Sequence, residues 1–156
     1  MSFDAHCHVT DDVQSLGLLG SLNVERLAVM SAKGEDLRKV RALAAEHPPR
    51  VVPCYGIHPR YAAGAGEAQL GELRRFLEEE PRSCVGEIGL DKLKTDACEW
   101  DTQVRVFEAQ LDLAAQLERP VSVHNVHCQG YMFEMFRRWE KEGRAMPPRV
   151  QMHSYG

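Results

Sequence analysis

No apolar run approaches the roughly 18 residues of a bilayer-crossing helix, so no membrane association is expected. The glycine-rich fingerprints with which doubly wound α/β folds cradle phosphate are missing. The five cysteines (Cys7, Cys54, Cys84, Cys98 and Cys128) contain no CxxC pair and are odd in number. Free thiols in a reducing compartment are therefore expected. No low-complexity tract, linker or secretory leader is read, so a cytoplasmic location, or a nuclear one, is expected. Positive charge is scarce too: 19 Lys and Arg stand against 23 Asp and Glu, for a net charge of -4. A broad nucleic-acid-binding surface, which needs clustered Lys and Arg, is disfavoured. A phosphate held through a bound cation is not, because the ion's charge dominates locally.

What is present is a globular composition, 44% hydrophobic and 27% charged, over 156 residues. That is enough for one domain, 1–156, with a sizeable core. Strand and helix signals alternate, the pattern of parallel α/β folds. Strands are predicted at Phe3–Val9, Arg26–Ser31, Val51–Ile57, Ser83–Ile88, Pro120–His124 and Val150–His153. Several are near-continuous apolar runs, as strands covered on both faces require. Apolar stripes at helical spacing predict helices over Glu35–Glu46, Glu67–Glu79, Asp101–Leu117 (Asp101 as N-cap) and Gly130–Glu142, with Gly143 as a stop. The segment from Val9 to Arg26 is the least determined. A closed (β/α)8 barrel takes about 250 residues. The predicted architecture is thus a TIM-type barrel of which about the first six β/α units are present, leaving edges prone to self-association.

His6 and His8 carry the first chemical signal. Residues i and i+2 of a strand share a face, so two imidazoles form half of a divalent-metal site, while Cys7 between them turns away. Glu87 lies inside an apolar strand, where a carboxylate is costly unless paired or metal-bound. Its two oxygens can bridge two cations. A salt bridge inside the barrel is the alternative reading. His124 and His153 each end an apolar run and complete a candidate ligand set. His58, before Pro59, sits at a strand end and points to substrate contact or loop fixation. His127, three residues past His124, is a weaker candidate.

Five ordered segments resemble the TatD family of metal-dependent hydrolases, within the amidohydrolase superfamily. They are Phe3-Asp4-x-His6-x-His8, Gly56-Ile57-His58-Pro59, Gly86-Glu87-Ile88-Gly89-Leu90-Asp91, the helix with Gln103, Phe107, Gln110 and Leu111 leading to Pro120-Val121-x-x-His124, and His153-Ser154-Tyr155-Gly156. The resemblance implies a β/α barrel binding one or two divalent ions (Zn²⁺, Mg²⁺ or Mn²⁺). It also implies hydrolysis of DNA or another phosphodiester by metal-activated water. Carried over, one cation falls to His6, His8 and Glu87 and a second to Glu87, His124 and His153, with Glu87 catalytic and His58 and Asn125 facing substrate. Three departures stand out. Val126 occupies the position of a family arginine, Lys92 that of an aromatic, and the family's last ligand, an eighth-strand aspartate, is not in the sequence. The second of these leans towards fungal TatD-like proteins, and the third implies weak or no hydrolysis by these residues alone. Two other functions fit less closely: an amidohydrolase acting on a small amide or ester, and a non-catalytic interaction protein. Glu87 stands where the carbamylated-lysine branch of the superfamily has lysine.

Overall fold

The computed structural model describes residues 2–9, 21 and 23–153. The expected Val9–Arg26 segment lies largely outside them, as do Ser154, Tyr155 and Gly156. Six strands form one parallel sheet in the order β1-β2-β3-β4-β5-β6. They are β1 Phe3–Cys7, β2 Arg26–Met30, β3 Val51–Tyr55, β4 Cys84–Asp91, β5 Val121–Val126 and β6 Val150–His153. Among the described residues, four α-helices lie between them: α1 Asp36–Glu46, α2 Glu67–Glu79, α3 Trp100–Gln116 and α4 Gln129–Lys141.

Each strand's neighbour in the sheet is its neighbour in sequence, without the reversal of order that marks a doubly wound sheet. With right-handed crossovers, such an order puts every helix on one face. The other face can then be covered only by curling the sheet on itself, which is a barrel. The curl is advanced. The His6 ring from β1 stacks on the His153 ring from β6, centroids 3.6 Å apart. The two strands are not hydrogen-bonded to each other among the described residues.

Alternation along β2 shows the two faces. Leu27 and Val29 enter the main core under the helices, whereas Ala28 and Met30 face the lumen with Cys54 and Cys84. The helices contribute Leu37 and Val40 from α1, Phe76 and Leu77 from α2, Phe107 and Leu111 from α3, and Met132 and Trp139 from α4. Each such side chain contributes about 1.5–3 kcal/mol when fully buried.

Two strands break alternation where chemistry needs it. Register shifts between Asp4 and Cys7 on β1, and between Val85 and Ile88 on β4. An extra residue in one strand re-aims the side chains beyond it. Ala5 and His6 are adjacent, yet Ala5 lines the lumen and His6 reaches Ser122 across it. Gly86 and Glu87 are adjacent likewise. A Cβ on Gly86 would meet Ser122 and Met30 in the lumen, and the Glu87 carboxylate also turns inward.

Some expected boundaries shift. β4 continues past Ile88 to Asp91 and β5 runs to Val126. α3 starts at Trp100 with Glu99 at its N-cap, so Asp101 is not the cap. Asp101 instead sits in the first turn, where a carboxylate favours the positive end of the helix dipole. A short 3₁₀ helix, Pro59–Gly64, follows β3 where only a loop was expected. Gly143 does end α4: at φ 67° it takes the left-handed conformation of a helix stop.

Candidate metal centre

The carboxyl ends of the strands converge on Glu87. Its Oε2 lies 2.9 Å from His8 Nε2 and 3.4 Å from His6 Nε2. Its Oε1 lies 2.8 Å from His124 Nδ1 and 4.0 Å from both His58 Nε2 and His153 Nε2. One carboxylate, 2% exposed, therefore faces five imidazoles, two on one oxygen and three on the other. All of the ion-pair partners of Glu87 among the described residues are histidines. The alternative of a Lys or Arg salt bridge inside the barrel thus finds no support there.

The donor set fits a divalent cation. His6 Nε2 and His8 Nε2 are 3.1 Å apart, a gap that accommodates one proton between two nitrogens, so at least one lone pair faces the site. Imidazole and carboxylate are ligands for Zn²⁺, Mn²⁺, Co²⁺ or Fe²⁺. Two groups have donor atoms within 4.8 Å of one another: His6, Glu87 and His153, and His58, Glu87 and His124. Both share Glu87. The partition differs from the one implied by resemblance. The stacking of β6 on β1 draws His153 towards His6, and His58 takes its place beside His124.

His58 nevertheless differs from the others. Its Nδ1 accepts the Arg60 amide at 3.1 Å. Burial pushes its pKa down to about 4, with the Glu87 charge only partly opposing. The neutral ring then carries its proton on Nε2, which aims a donor, not a lone pair, at the rim.

Electrostatics keep the carboxylate ionised. Burial pushes the Glu87 pKa up, but hydrogen bonds from His124, His6 and His8 together outweigh it and hold the carboxyl far below the usual range. For His124, burial lowers the pKa, yet Glu87 and Asp91 on its two ring nitrogens raise it above the ordinary value. Burial and neighbouring His6 lower the pKa of His153.

Asp91 is the site residue that sequence reasoning missed. Its Oδ2 lies 3.0 Å from His124 Nε2 and its Oδ1 accepts the Leu93 amide at 2.8 Å. It stands four residues after Glu87, an even spacing that was available as a signal once β4 was known to extend that far. Asn125, expected to touch substrate, is not brought to the rim. Alternation turns it to the face of β5 opposite His124, where it is fully buried. His127 lies beyond β5, exposed and outside the cluster.

Supporting contacts fix the rim. The Asp4 carboxylate accepts the His6 amide at 3.1 Å, pinning the irregular part of β1. On α3, Gln110 accepts the Ile57 amide at 2.7 Å and donates to the Ile57 carbonyl at 3.1 Å, just before His58. Gln103 treats Asp91 in the same way, at 2.9 and 3.2 Å. Both glutamines are fully buried and close the backbone where β3 and β4 run out of ladder partners.

Comparison with known proteins agrees with this geometry. The profile of the TatD related DNase family matches residues 3–156. The Cut9-interacting protein scn1 of Schizosaccharomyces pombe is 29% identical across 96% of this chain and 62% of that protein. The 3'-5' ssDNA/RNA exonuclease TatD of Pantoea sp. is 33% identical, covering 65% of this chain and 38% of that one. The crystal structure of YJJV, a TatD homolog from Escherichia coli, superposes with a TM-score of 0.79 at 26% identity, over 92% of this chain and 57% of that one. The chain thus spans from about two fifths to three fifths of the length of these relatives. No described helix is long and apolar enough to cross a membrane. With that profile matched over nearly its whole length, the chain belongs to the TatD related DNase family.

Proposed function

We propose that the chain forms the metal-holding rim of a divalent-metal-dependent phosphodiesterase that acts on DNA. The observation that carries this reading is the Glu87 carboxylate. It is buried and shared between two imidazole sets, with no Lys or Arg partner among the described residues. His6, His8, His124 and His153 would hold one or two cations with it, Zn²⁺, Mg²⁺ or Mn²⁺. A cation in that position supplies Lewis acidity and brings the pKa of water towards neutrality.

The chain's own residues do the rest. Glu87 keeps both oxygens free of protons. Asp91 orients His124 through its second nitrogen, the usual arrangement behind a ligating imidazole. His58, neutral and protonated at Nε2, offers a hydrogen bond to a phosphoryl oxygen at the rim, which supports its assignment to substrate. Five free thiols fit a cytosolic or nuclear location. Phe3 and Val150, exposed on the outer strands β1 and β6, support self-association through those edges.

A second reading is favoured by one observation: half-buried Val126, in register with Asp91, stands where a phosphate-binding arginine would be. A relative named as an interacting protein supports a non-catalytic binding role. Cleavage of short single-stranded DNA with added Mn²⁺ separates the two. Cleavage that disappears in E87Q supports the enzyme; bound metal without cleavage supports the binding protein.

A further inference from the structure

The opposite end of the barrel holds a second cluster of donor atoms, chemically unlike the first. Cys54 on β3 and Cys84 on β4 are register partners on neighbouring parallel strands. Such partners lie about 4.8 Å apart along the hydrogen-bonding direction. Both side chains turn into the lumen and pack with Met30 and Ala28. The Cys54 thiol donates to the Val52 carbonyl at 3.8 Å on its own strand. The Met30 sulfur is close by, 3.1 Å from where a Gly86 Cβ would stand, two residues beyond Cys84. The three residues line one cavity of about 420 Å³, walled by Phe3, Ala5 and Val121. Arg149 lines the same cavity, and the Arg119 charge acts on Cys84.

Thiolate and thioether sulfurs select soft cations over the hard and borderline ions that suit imidazole and carboxylate. Among the described residues, no carboxylate or imidazole lines the cavity to compete. We propose that the lumen of the barrel is a binding site for a soft monovalent cation, Cu(I), held by Cys54, Cys84 and Met30. Binding releases the protons of the two thiols to solvent and moves no electrons. The resulting complex carries one net negative charge, which the two guanidiniums offset.

Burial lowers the reactivity of the competing thiols. Cys7 is pushed up to about 11 by burial and then by Asp4, and burial also raises Cys98 and Cys128. Cys84 alone is lowered, by the neighbouring Cys54 and by Arg119 against the effect of burial.

The test is anaerobic titration of the reduced chain with Cu(I), supplied as its bicinchoninate complex, with X-ray absorption on the product. The expected result is one tightly held Cu(I) per chain with an all-sulfur shell. C54S and C84S should each weaken binding by ~100-fold or more, beyond the range for loss of an outer-shell partner, and M30L by ~10-fold. E87Q should leave Cu(I) uptake unchanged. No uptake from the chelator, a nitrogen-containing shell, or retention of tight binding in C84S would each overturn the proposal. The absorption spectrum of the unsubstituted chain decides the matter even if a serine variant fails to fold.

Discussion

The two ends of this barrel are built from the same strands and carry opposite chemistry. At the carboxyl rim, β1, β4, β5 and β6 present imidazoles and carboxylates gathered around Glu87. Deeper in the lumen, β2, β3 and β4 present alanine, methionine and cysteine. β4 serves both, with Cys84 and Glu87 three residues apart and the register shift between them. The lesson is that a bulge lets one strand turn a thiol and a carboxylate into a single lumen without sacrificing the helix-facing core, which keeps Val85, Ile88 and Leu90.

The largest expected effect breaks the comparison at its centre. E87Q should weaken Mn²⁺ or Zn²⁺ binding by more than the 10–100-fold, roughly, that follows loss of a second-shell partner. Calorimetric titration checks this, and an unchanged affinity would remove Glu87 from the centre.

Next is the support behind the rim. Q110A leaves the buried Ile57 amide and carbonyl without partners. It should cost about 2–6 kcal/mol of stability, at about 1–3 kcal/mol for each unsatisfied group. Urea unfolding measures it. Q103A should behave alike through Asp91.

A pH experiment sharpens the electrostatic side. The pKa of His124 is raised in the fold, so its contribution to stability is complete below the unfolded value near 6.5 and is lost as pH rises through the folded value. Between those values it holds a proton that a cation must displace. Metal uptake in that window should therefore release more protons than at higher pH, and D91N should shrink the difference. Titration in buffers of different ionisation heat reads this. His58 has the opposite sign: its value of about 4 makes its contribution complete above about 6.5 and lost as pH falls towards 4.

The smallest effect lies away from both sites. G143A, at φ 67° with open space around it, should cost about 1 kcal/mol through backbone conformation alone. It should leave both metal affinities unchanged.

The convergence of the rim side chains was largely legible in the sequence because they sit in or beside apolar strands at spacings that local geometry interprets. His6 and His8 share a face by simple alternation, and the structure brings Glu87, His124 and His153 to them. The grouping was not legible. Which histidine joins which oxygen of Glu87 depends on how far the sheet curls and on the register shift in β4, and neither leaves a local signal. Asn125 was misplaced because a neighbour of a ligand in sequence faces away from it in a strand. Asp91 was overlooked because β4 was expected to stop at Ile88. The Cys54–Cys84 pairing depends on a register between strands 30 residues apart, which no spacing rule reports.

The most direct test of the account is divalent metal per chain, by elemental analysis, for the unsubstituted protein and E87Q purified side by side. One or two ions per chain, absent from E87Q, is the predicted result. No metal in either protein, or equal metal in both, would contradict it.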